Sequence, residues 1–292
     1  MREHSQLMNK KYNAQDVLGI RALIDETVTG KVIPKHDVFG HHYLLTWCDK
    51  IVDSVTTKNI LDKPHLLNWA TGLAVDYLVD NNKLDDLKDP EKYKDTKLAA
   101  QLQWKDIRDD AGTVGTVAHD CIEQYVIEWI KTGKQPEDVK TFFPGKLDDI
   151  DKRSIASARA AEQVFIKYNC VPISTELLVG SERRDTAGTL DMLVLNLDTE
   201  EIEVWDWKTS NAIDDFYAIQ ASIYADMFTE MTGIKVPVTR VFKIDKWSDK
   251  FHEYIIPDMP AAVEAFEHLS MVYNYWTSKE KKIIKNIKKV TL

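Results

Sequence analysis

The chain has 292 residues, 44 % hydrophobic and 29 % charged, with a net charge of −9, which is typical of a soluble globular protein and argues against one that coats nucleic acid by bulk charge. No apolar run approaches the roughly 20 residues that span a membrane, and the N-terminus lacks the apolar core of a signal peptide, so we expect a cytoplasmic protein without a membrane partner. The three cysteines are far apart and form no CxxC pair, so we expect no disulfide framework, no zinc knuckle and no iron–sulfur cluster.

The sequence pattern in the N-terminal third of the chain predicts mainly helices. Residues 1–60 show no clear periodicity, whereas residues 62–81 carry apolar side chains at helical spacing. The charged stretch over residues 81–97 predicts a loop or an exposed helix. We therefore expect a mainly helical N-terminal region over residues 1–110, packed on the remainder of the chain.

Two further helices follow. Apolar residues recur every three or four positions over residues 112–133, and Gly133 can end that helix. Residues 151–168 are again helical. The core domain is expected to cover residues 111–292.

Beyond this helix the hydrophobic pattern changes from helical spacing to alternation. Three strands, a helix, two strands and a last helix are predicted, over residues 171–181, 188–197, 201–208, 211–231, 236–246, 251–257 and from about Pro260. Asn211 and Asp214 provide a capping-box-like start for the central helix, and Gly233 provides a stop. Local hairpins combined with a crossover helix indicate an α/β domain with a central mixed β-sheet flanked by helices.

The strand in the stretch EVWDWKTS places charged side chains on an apolar face. Side chains alternate along a strand, so Asp206 and Lys208 point to the same side. An even-length loop centred on Thr199 and Glu200 places Asp191 on that side too, opposite Lys208, with the two aspartates on a diagonal. A slip of one residue would turn Asp191 to the other face, so the convergence depends on the length of this loop.

Two aspartates and a lysine at the end of an apolar face are costly unless they are paired. A structural salt bridge between Lys208 and one aspartate leaves the other carboxylate buried without a partner. A divalent cation removes this cost, because Mg²⁺ binds one or two carboxylates together with water and phosphate oxygens. These residues alone leave both interpretations open, a structural network and a metal site.

Four motifs occur in order along the chain. They are GTVGTVAHDCIE with His119, STELLVG with Glu176, GTLD and DWK with Asp191, Asp206 and Lys208, and QASIY with Gln220 and Tyr224. This ordered set resembles the PD-(D/E)XK nuclease superfamily, and specifically its RecB-type branch, which includes exonucleases found in phages. Leu190 replaces the proline of the superfamily's name, and the resemblance spans roughly residues 54–224.

The resemblance implies a restriction-endonuclease-like core that carries a site for Mg²⁺ or Mn²⁺. Lys208 would position or activate the attacking water. His119, Glu176 and Tyr224 each also have an ordinary interpretation, as a histidine on a helix flank, an exposed strand residue and a core tyrosine. The implied site residues are the metal ligands His119, Asp191, Asp206 and the backbone carbonyl of Trp207, the catalytic residues Lys208, Asp191, Asp206 and Glu176, and the substrate contacts Gln220, Tyr224, Gly115 and Thr209.

The function implied by the resemblance is metal-dependent hydrolysis of DNA in a bacterial or phage-infected cell. An exonuclease of recombination, repair or phage DNA processing is favoured over an endonuclease. Its partners would be single- or double-stranded DNA with a free end and a recombination or replication protein. A DNA-binding or regulatory module with the nuclease fold and little turnover is the alternative. An HD-type phosphohydrolase, which would use His119, Asp120 and an upstream histidine, leaves the hairpin unexplained.

Two features lie outside these motifs. Trp205 and Trp207 fall on the face opposite the charged residues, so we expect them to pack beneath flanking helices rather than to stack on bases. The C-terminal stretch TSKEKKIIKNIKKV carries six lysines against one glutamate. It is interpreted either as a solvated helix face or as a patch that contacts phosphates.

Overall fold

The computed structural model describes residues 11–37, 40–59 and 64–277. None of the helices in these residues combines the length and the apolar character that crossing a membrane requires. The basic C-terminal stretch from residue 279 onward lies outside the described residues. Within them the structure has six α-helices and eight strands, namely α1 (Asp16–Thr27), β1 (Val32–Asp37), β2 (Gly40–Leu45), β3 (Lys50–Ser54), α2 (Pro64–Asp80), α3 (Tyr93–Thr132), α4 (Lys152–Lys167), β4 (Cys170–Ser181), β5 (Thr186–Asn196), β6 (Glu201–Lys208), α5 (Asp215–Thr232), β7 (Val238–Ile244), β8 (Phe251–Ile255) and α6 (Met259–Thr277).

The strands form one mixed sheet. Its order is β1-β2-β3-β5-β6-β7-β8, and β4 pairs with β5 off this path. Strands β4, β5 and β6 form an antiparallel meander, and β7 returns parallel to β6 after the crossover helix α5. The predicted α/β class, with a central mixed sheet flanked by helices, is confirmed. The predicted order of elements from residue 151 onward is also confirmed.

The hairpin of β5 and β6 has a different register from the predicted one. Asn196 pairs with Glu201, which leaves a four-residue loop, and this register continued toward the strand ends places Asp191 opposite Asp206 rather than opposite Lys208. The loop is displaced because the Asn196 side chain accepts hydrogen bonds from two loop amides, at 3.0 and 3.3 Å. Glu200 then adopts a left-handed conformation, φ 57°. The loop length is even, so all three charged residues still share one face.

The first 60 residues, to which the sequence pattern assigns no element, contribute to the sheet. Strands β1, β2 and β3 pair with one another antiparallel, and β3 joins β5 in parallel. By contacts the chain forms two compact units, residues 61–118 and the remainder. This division does not test the expected domain boundary at residue 110, which stays a prediction.

The two faces of the sheet have different cores. On the face that carries the charged residues, aliphatic side chains of β5 and β6 pack with residues of α1, α5 and α6. On the other face Trp205 and Trp207 are buried beside Phe165 of α4 and Phe242 of β7, with ring centroids 5.1–6.3 Å apart. Each such aromatic pair adds about 0.5–1.5 kcal/mol beyond area burial. The prediction that both tryptophans pack beneath a helix is confirmed.

The helix that follows the hairpin ends as its sequence predicts but begins four residues later than predicted, at Asp215, with Asp214 and not Asn211 as its N-cap. The Asp214 carboxylate accepts a hydrogen bond from the Phe216 amide at 2.9 Å, which caps the first turn of α5. Gly233 ends the helix in the left-handed conformation, φ 72°, with its N–H donated to the Thr229 carbonyl. These two ends fix α5 as the crossover that brings β7 alongside β6.

Candidate metal centre

The carboxyl end of β6 holds an ion pair that is almost fully buried. The Lys208 Nζ atom lies 2.5 Å from Asp206 Oδ2, and Asp206 is 1 % exposed. Burial raises the pKa of Asp206 to about 6, although the Lys208 ammonium opposes the shift. Asp206 Oδ1 is buried and has no hydrogen-bond partner among the described residues. A buried carboxylate oxygen without a donor is costly and needs a ligand.

Asp191 is fixed at the same level of the sheet by the backbone around it. Its Oδ2 atom accepts a hydrogen bond from the Trp207 amide at 2.7 Å, and its carbonyl accepts one from the Thr175 hydroxyl at 2.9 Å. Burial raises the pKa of the Asp191 carboxyl, against the effects of the Lys208 ammonium and the Trp207 N–H. The hydrogen bond to Trp207 joins the two halves of the hairpin where their charged residues meet.

Glu176 of β4 has an unusual backbone conformation. Its φ of 48° is left-handed, which is rare for a residue other than glycine and costs on the order of 1–3 kcal/mol. Burial, followed by the nearby charges of Asp191, Glu123 and Asp120, raises the pKa of Glu176 to about 8. Backbone strain and a carboxyl whose charged form is disfavoured thus coincide at Glu176. Both features are concentrated at functional sites.

His119 projects from α3 toward the end of β6. Burial lowers the pKa of its imidazole to about 4, helped by the Lys208 ammonium and opposed by Asp206, by Asp120 and by a hydrogen bond with the Trp207 backbone. The ring is therefore neutral at pH 7. A neutral imidazole is the form that binds a metal ion.

Three side chains can converge on one cation. Ligand atoms of His119, Glu176 and Asp191 all lie within 4.8 Å of one another. The predicted ligand set has Asp206 in place of Glu176; Asp206 lies outside this group, and its Oδ2 is 2.5 Å from Lys208 Nζ.

The donor set fits the predicted ion. Carboxylate oxygens suit Mg²⁺, and an imidazole beside them makes Mn²⁺ equally acceptable. The raised pKa values of Asp206 and Glu176 and the unpaired Asp206 Oδ1 describe a site with excess buried negative charge. A divalent cation would remove that excess, so the residues present fit Mg²⁺ or Mn²⁺.

Lys208 remains an ammonium in this setting. Burial alone would lower its pKa, but Asp206 and Asp191 outweigh burial, so the pKa lies above its ordinary value. The Nζ atom also lies 5.1 Å from the ring centroid of Tyr217, in the first turn of α5. The Asp206 carboxylate and the Tyr217 ring therefore both stabilise the Lys208 ammonium.

The predicted substrate contacts on α5, Gln220 and Tyr224, contact each other and the strand that carries Asp191. Gln220 Nε2 donates a hydrogen bond to Tyr224 Oη at 2.9 Å, and Tyr224 is 4 % exposed. Tyr224 lies against Gly188 of β5 so closely that a Cβ atom there would be 2.6 Å from a ring carbon. Thr209 follows β6 directly and is half-buried, while Gly115 lies in the unit of residues 61–118. The substrate roles of these four residues stay predictions.

Two residues of the site are absent from the sequence-based set. Glu123 lies one helical turn after His119 on α3, and its own pKa is raised by burial and by Asp120. Its spacing of four from His119 is the signal that predicts a shared helix face. Tyr217 has no comparable signal, because its contact with Lys208 depends on where α5 begins relative to the sheet.

The histidines that an HD-type site would need occupy a different kind of element. His41 and His42 lie on strand β2, and His42 Nδ1 is 2.9 Å from Asp53 Oδ1 on β3. The site of His119 is built on strands of a sheet together with one helix, and not in the helical bundle of that family.

Comparison with known proteins adds little to this geometry. No protein-family model matches the chain, and no curated protein matches it significantly. One similar solved chain is the crystal structure of SSO0001, which is 17 % identical over 53 % of this chain and 74 % of that one. Its TM-score of 0.25 is too low to support a conclusion about fold or function.

Proposed function

We propose that this protein is a metal-dependent nuclease that hydrolyses phosphodiester bonds in DNA. The observation that carries the proposal is the placement of the Lys208–Asp206 ion pair beside the three potential ligands His119, Glu176 and Asp191. A lysine that remains charged next to a cation site is suited to an anionic substrate such as a phosphodiester. The four ordered sequence motifs support the same function.

His119, Glu176 and Asp191 would hold the cation, with Asp206 Oδ1 as a further oxygen donor. A divalent cation bound there supplies Lewis-acid polarisation of the scissile phosphodiester. The Trp207 amide keeps Asp191 in place, so the carboxylate needs no rearrangement to act as a ligand. This fixed placement is what makes a site effective in stabilising a transition state.

The remaining role follows from the charge on Lys208. Its ammonium, whose pKa is raised by Asp206 and Asp191 against burial, would position the attacking water and offset negative charge on the phosphate. Glu176 is kept as a ligand of the cation, which needs its carboxyl in the charged form. The water oxygen bonds to phosphorus as it releases a proton to solvent, the P–O bond to the leaving deoxyribose oxygen breaks, and that oxygen takes up a proton from solvent.

The finer parts of the proposal rest on the resemblance to the RecB-type branch. We infer an exonuclease that acts at a free end of single- or double-stranded DNA, in a cytoplasmic setting, with a recombination or replication protein as partner. A nuclease-fold DNA-binding or regulatory module with little turnover is the competing function.

The proposal is tested by incubating the purified chain with end-labelled linear DNA and with closed circular DNA, each single- and double-stranded. Reactions contain Mg²⁺, Mn²⁺ or EDTA. We expect linear DNA to be degraded only with a metal and circular DNA to survive. Cleavage of circular DNA would establish an endonuclease. Binding of DNA without cleavage in either metal would favour the regulatory module.

A further inference from the structure

The loop between β7 and β8 presents a tryptophan to solvent. Trp247 is 78 % exposed, which is the largest value among the eight tryptophans. The backbone beneath it is fixed, because Asp245 Oδ1 accepts hydrogen bonds from the amides of Trp247 and Ser248 at 2.6 and 3.1 Å. Ser157 of α4 donates to the Asp245 carbonyl at 3.4 Å. The indole is therefore exposed on an ordered loop.

This loop lies at the same edge of the sheet as the candidate metal centre. Strands β6 and β7 are parallel, and Lys208 pairs directly with Lys243. Trp247 follows four residues later, so the Cα atoms of Lys208 and Trp247 are at most about 19 Å apart. At about 3.4 Å per nucleotide of a helical strand, that span covers at most about five or six nucleotides.

One cation lies near the exposed indole, and it is itself paired with Asp151 at 2.7 Å. The Arg153 guanidinium carbon lies 5.9 Å from the Trp247 ring centroid, and Lys246 and Lys250 belong to the same loop. Both aspartates of this loop are engaged, since Asp249 is paired with Arg159 at 2.7 Å and Asp245 accepts the two loop amides. An exposed aromatic face beside a guanidinium and two loop lysines, with the neighbouring carboxylates engaged, suits a nucleic-acid strand, whose bases stack and whose phosphates are anionic.

We propose that Trp247 is a stacking platform for a base of single-stranded DNA, a few nucleotides from the bond that is cut. This rests on the proposed function, since it places the DNA strand across the edge where β6 and β7 end. Stacking on one aromatic side chain accounts for about a fivefold to hundredfold gain in affinity and tolerates any base sequence. Trp247 would thus fix the path of the strand toward Lys208 without selecting sequence.

The experiment separates stacking from charge. Fluorescence anisotropy measures the binding of a labelled oligothymidylate of about 12 nucleotides and of an abasic strand with the same number of phosphates, both in EDTA so that no bond is cut. The wild-type chain should bind the thymidylate strand more tightly. Trp247→Ala should lose about fivefold to a hundredfold on the thymidylate strand and little on the abasic one, whereas Trp247→Phe should retain most of the preference.

Trp47→Ala is the matched control, because Trp47 is also exposed, at 44 %, but lies beside Glu230 at the C-terminal end of α5. Lys208 contacts the first turn of that helix, whose 18 residues span about 27 Å. Trp47 therefore lies at the end of α5 that is far from Lys208. The control should bind both strands as the wild type does.

The inference is overturned if Trp247→Ala binds thymidylate normally, if it weakens both strands equally, or if the wild type shows no preference for bases. Because binding is measured without metal, a loss specific to Trp247 would stand even if the chain proved unable to cleave DNA.

Discussion

Replacing Glu176 with glutamine should change how the stability of the metal-free protein depends on pH. The pKa of Glu176 rises from the ordinary 4.5 to about 8, first because of burial and then because of neighbouring carboxylates. The folded chain therefore keeps a proton that the unfolded chain has released, and stability falls as pH rises toward 8. Glu176→Gln carries no ionisable group at this position, so this part of the pH dependence should disappear.

The magnitude follows from proton linkage. Each pKa unit corresponds to about 1.4 kcal/mol, and integrating between about pH 6.5 and 8 gives a loss on the order of 1–2 kcal/mol from Glu176. The range begins at about pH 6.5 because, at lower pH, the titration of His119 changes the free energy of unfolding in the opposite direction. The pKa of His119 falls to about 4, so there the unfolded chain takes up a proton that the folded chain excludes.

The assay is urea denaturation in EDTA at four pH values from 6.5 to 8. Wild type should lose on the order of 1–2 kcal/mol across the series, and Glu176→Gln should show a flatter profile and a higher stability at pH 8. Glu182→Gln is the control, since Glu182 is exposed in the turn after β4, and it should follow the wild type. Equal slopes for wild type and Glu176→Gln would refute the assignment of a buried, crowded carboxyl to Glu176.

Two further predictions concern the support of the site and are checked by urea denaturation. Gly188→Ala should destabilise the fold by about 1–3 kcal/mol, because the new Cβ would lie 2.6 Å from a ring carbon of buried Tyr224; an unchanged midpoint would contradict this close approach. Glu203→Ala should cost about 3–5 kcal/mol, since it removes one of the two carboxylates that pair with Arg240 and leaves the buried donors of Asn196 and Trp205 without their acceptor. Glu201→Ala, on the same strand but partly exposed, should cost less than about 1 kcal/mol.

The hairpin shows how much of the site can be predicted from alternation. Alternation and an even loop length correctly place Asp191 on the same face as Asp206 and Lys208. They do not determine the position of the loop, which depends on hydrogen bonds that the Asn196 side chain accepts from loop amides and on the left-handed conformation of Glu200. The residue opposite Asp191 was therefore predicted wrongly although its face was predicted correctly.

The strands within the first 60 residues could not be predicted for a different reason. Strand β1 contains Pro34, which lowers the strand signal and suits only an edge position. Much of β1 and β2 is not buried, so their residues lack the alternation that a half-buried strand shows. The identity of these strands comes from their pairing with the sheet, which local sequence does not encode.

The contacts that define the charge state of the site are also tertiary. Glu123 and Asp120 act on Glu176 from α3, and Tyr217 reaches Lys208 from α5. Helical spacing can suggest that Glu123 shares a face with His119, but the approach of α3 to β4 depends on packing between elements far apart in sequence. The raised pKa of Glu176 is a consequence of that packing.

The central claim is that Lys208 acts on the substrate beside a cation held by other residues. The most direct test measures DNA cleavage by wild type and Lys208→Ala over a series of free Mn²⁺ concentrations, and Mn²⁺ binding to both chains by calorimetry. Lys235→Ala is the control, as Lys235 is exposed ahead of the amino end of β7. Lys208→Ala should lose about a hundredfold or more in kcat while binding Mn²⁺ at least as tightly as wild type. Cleavage by wild type in EDTA, or full kcat in Lys208→Ala, would contradict the account.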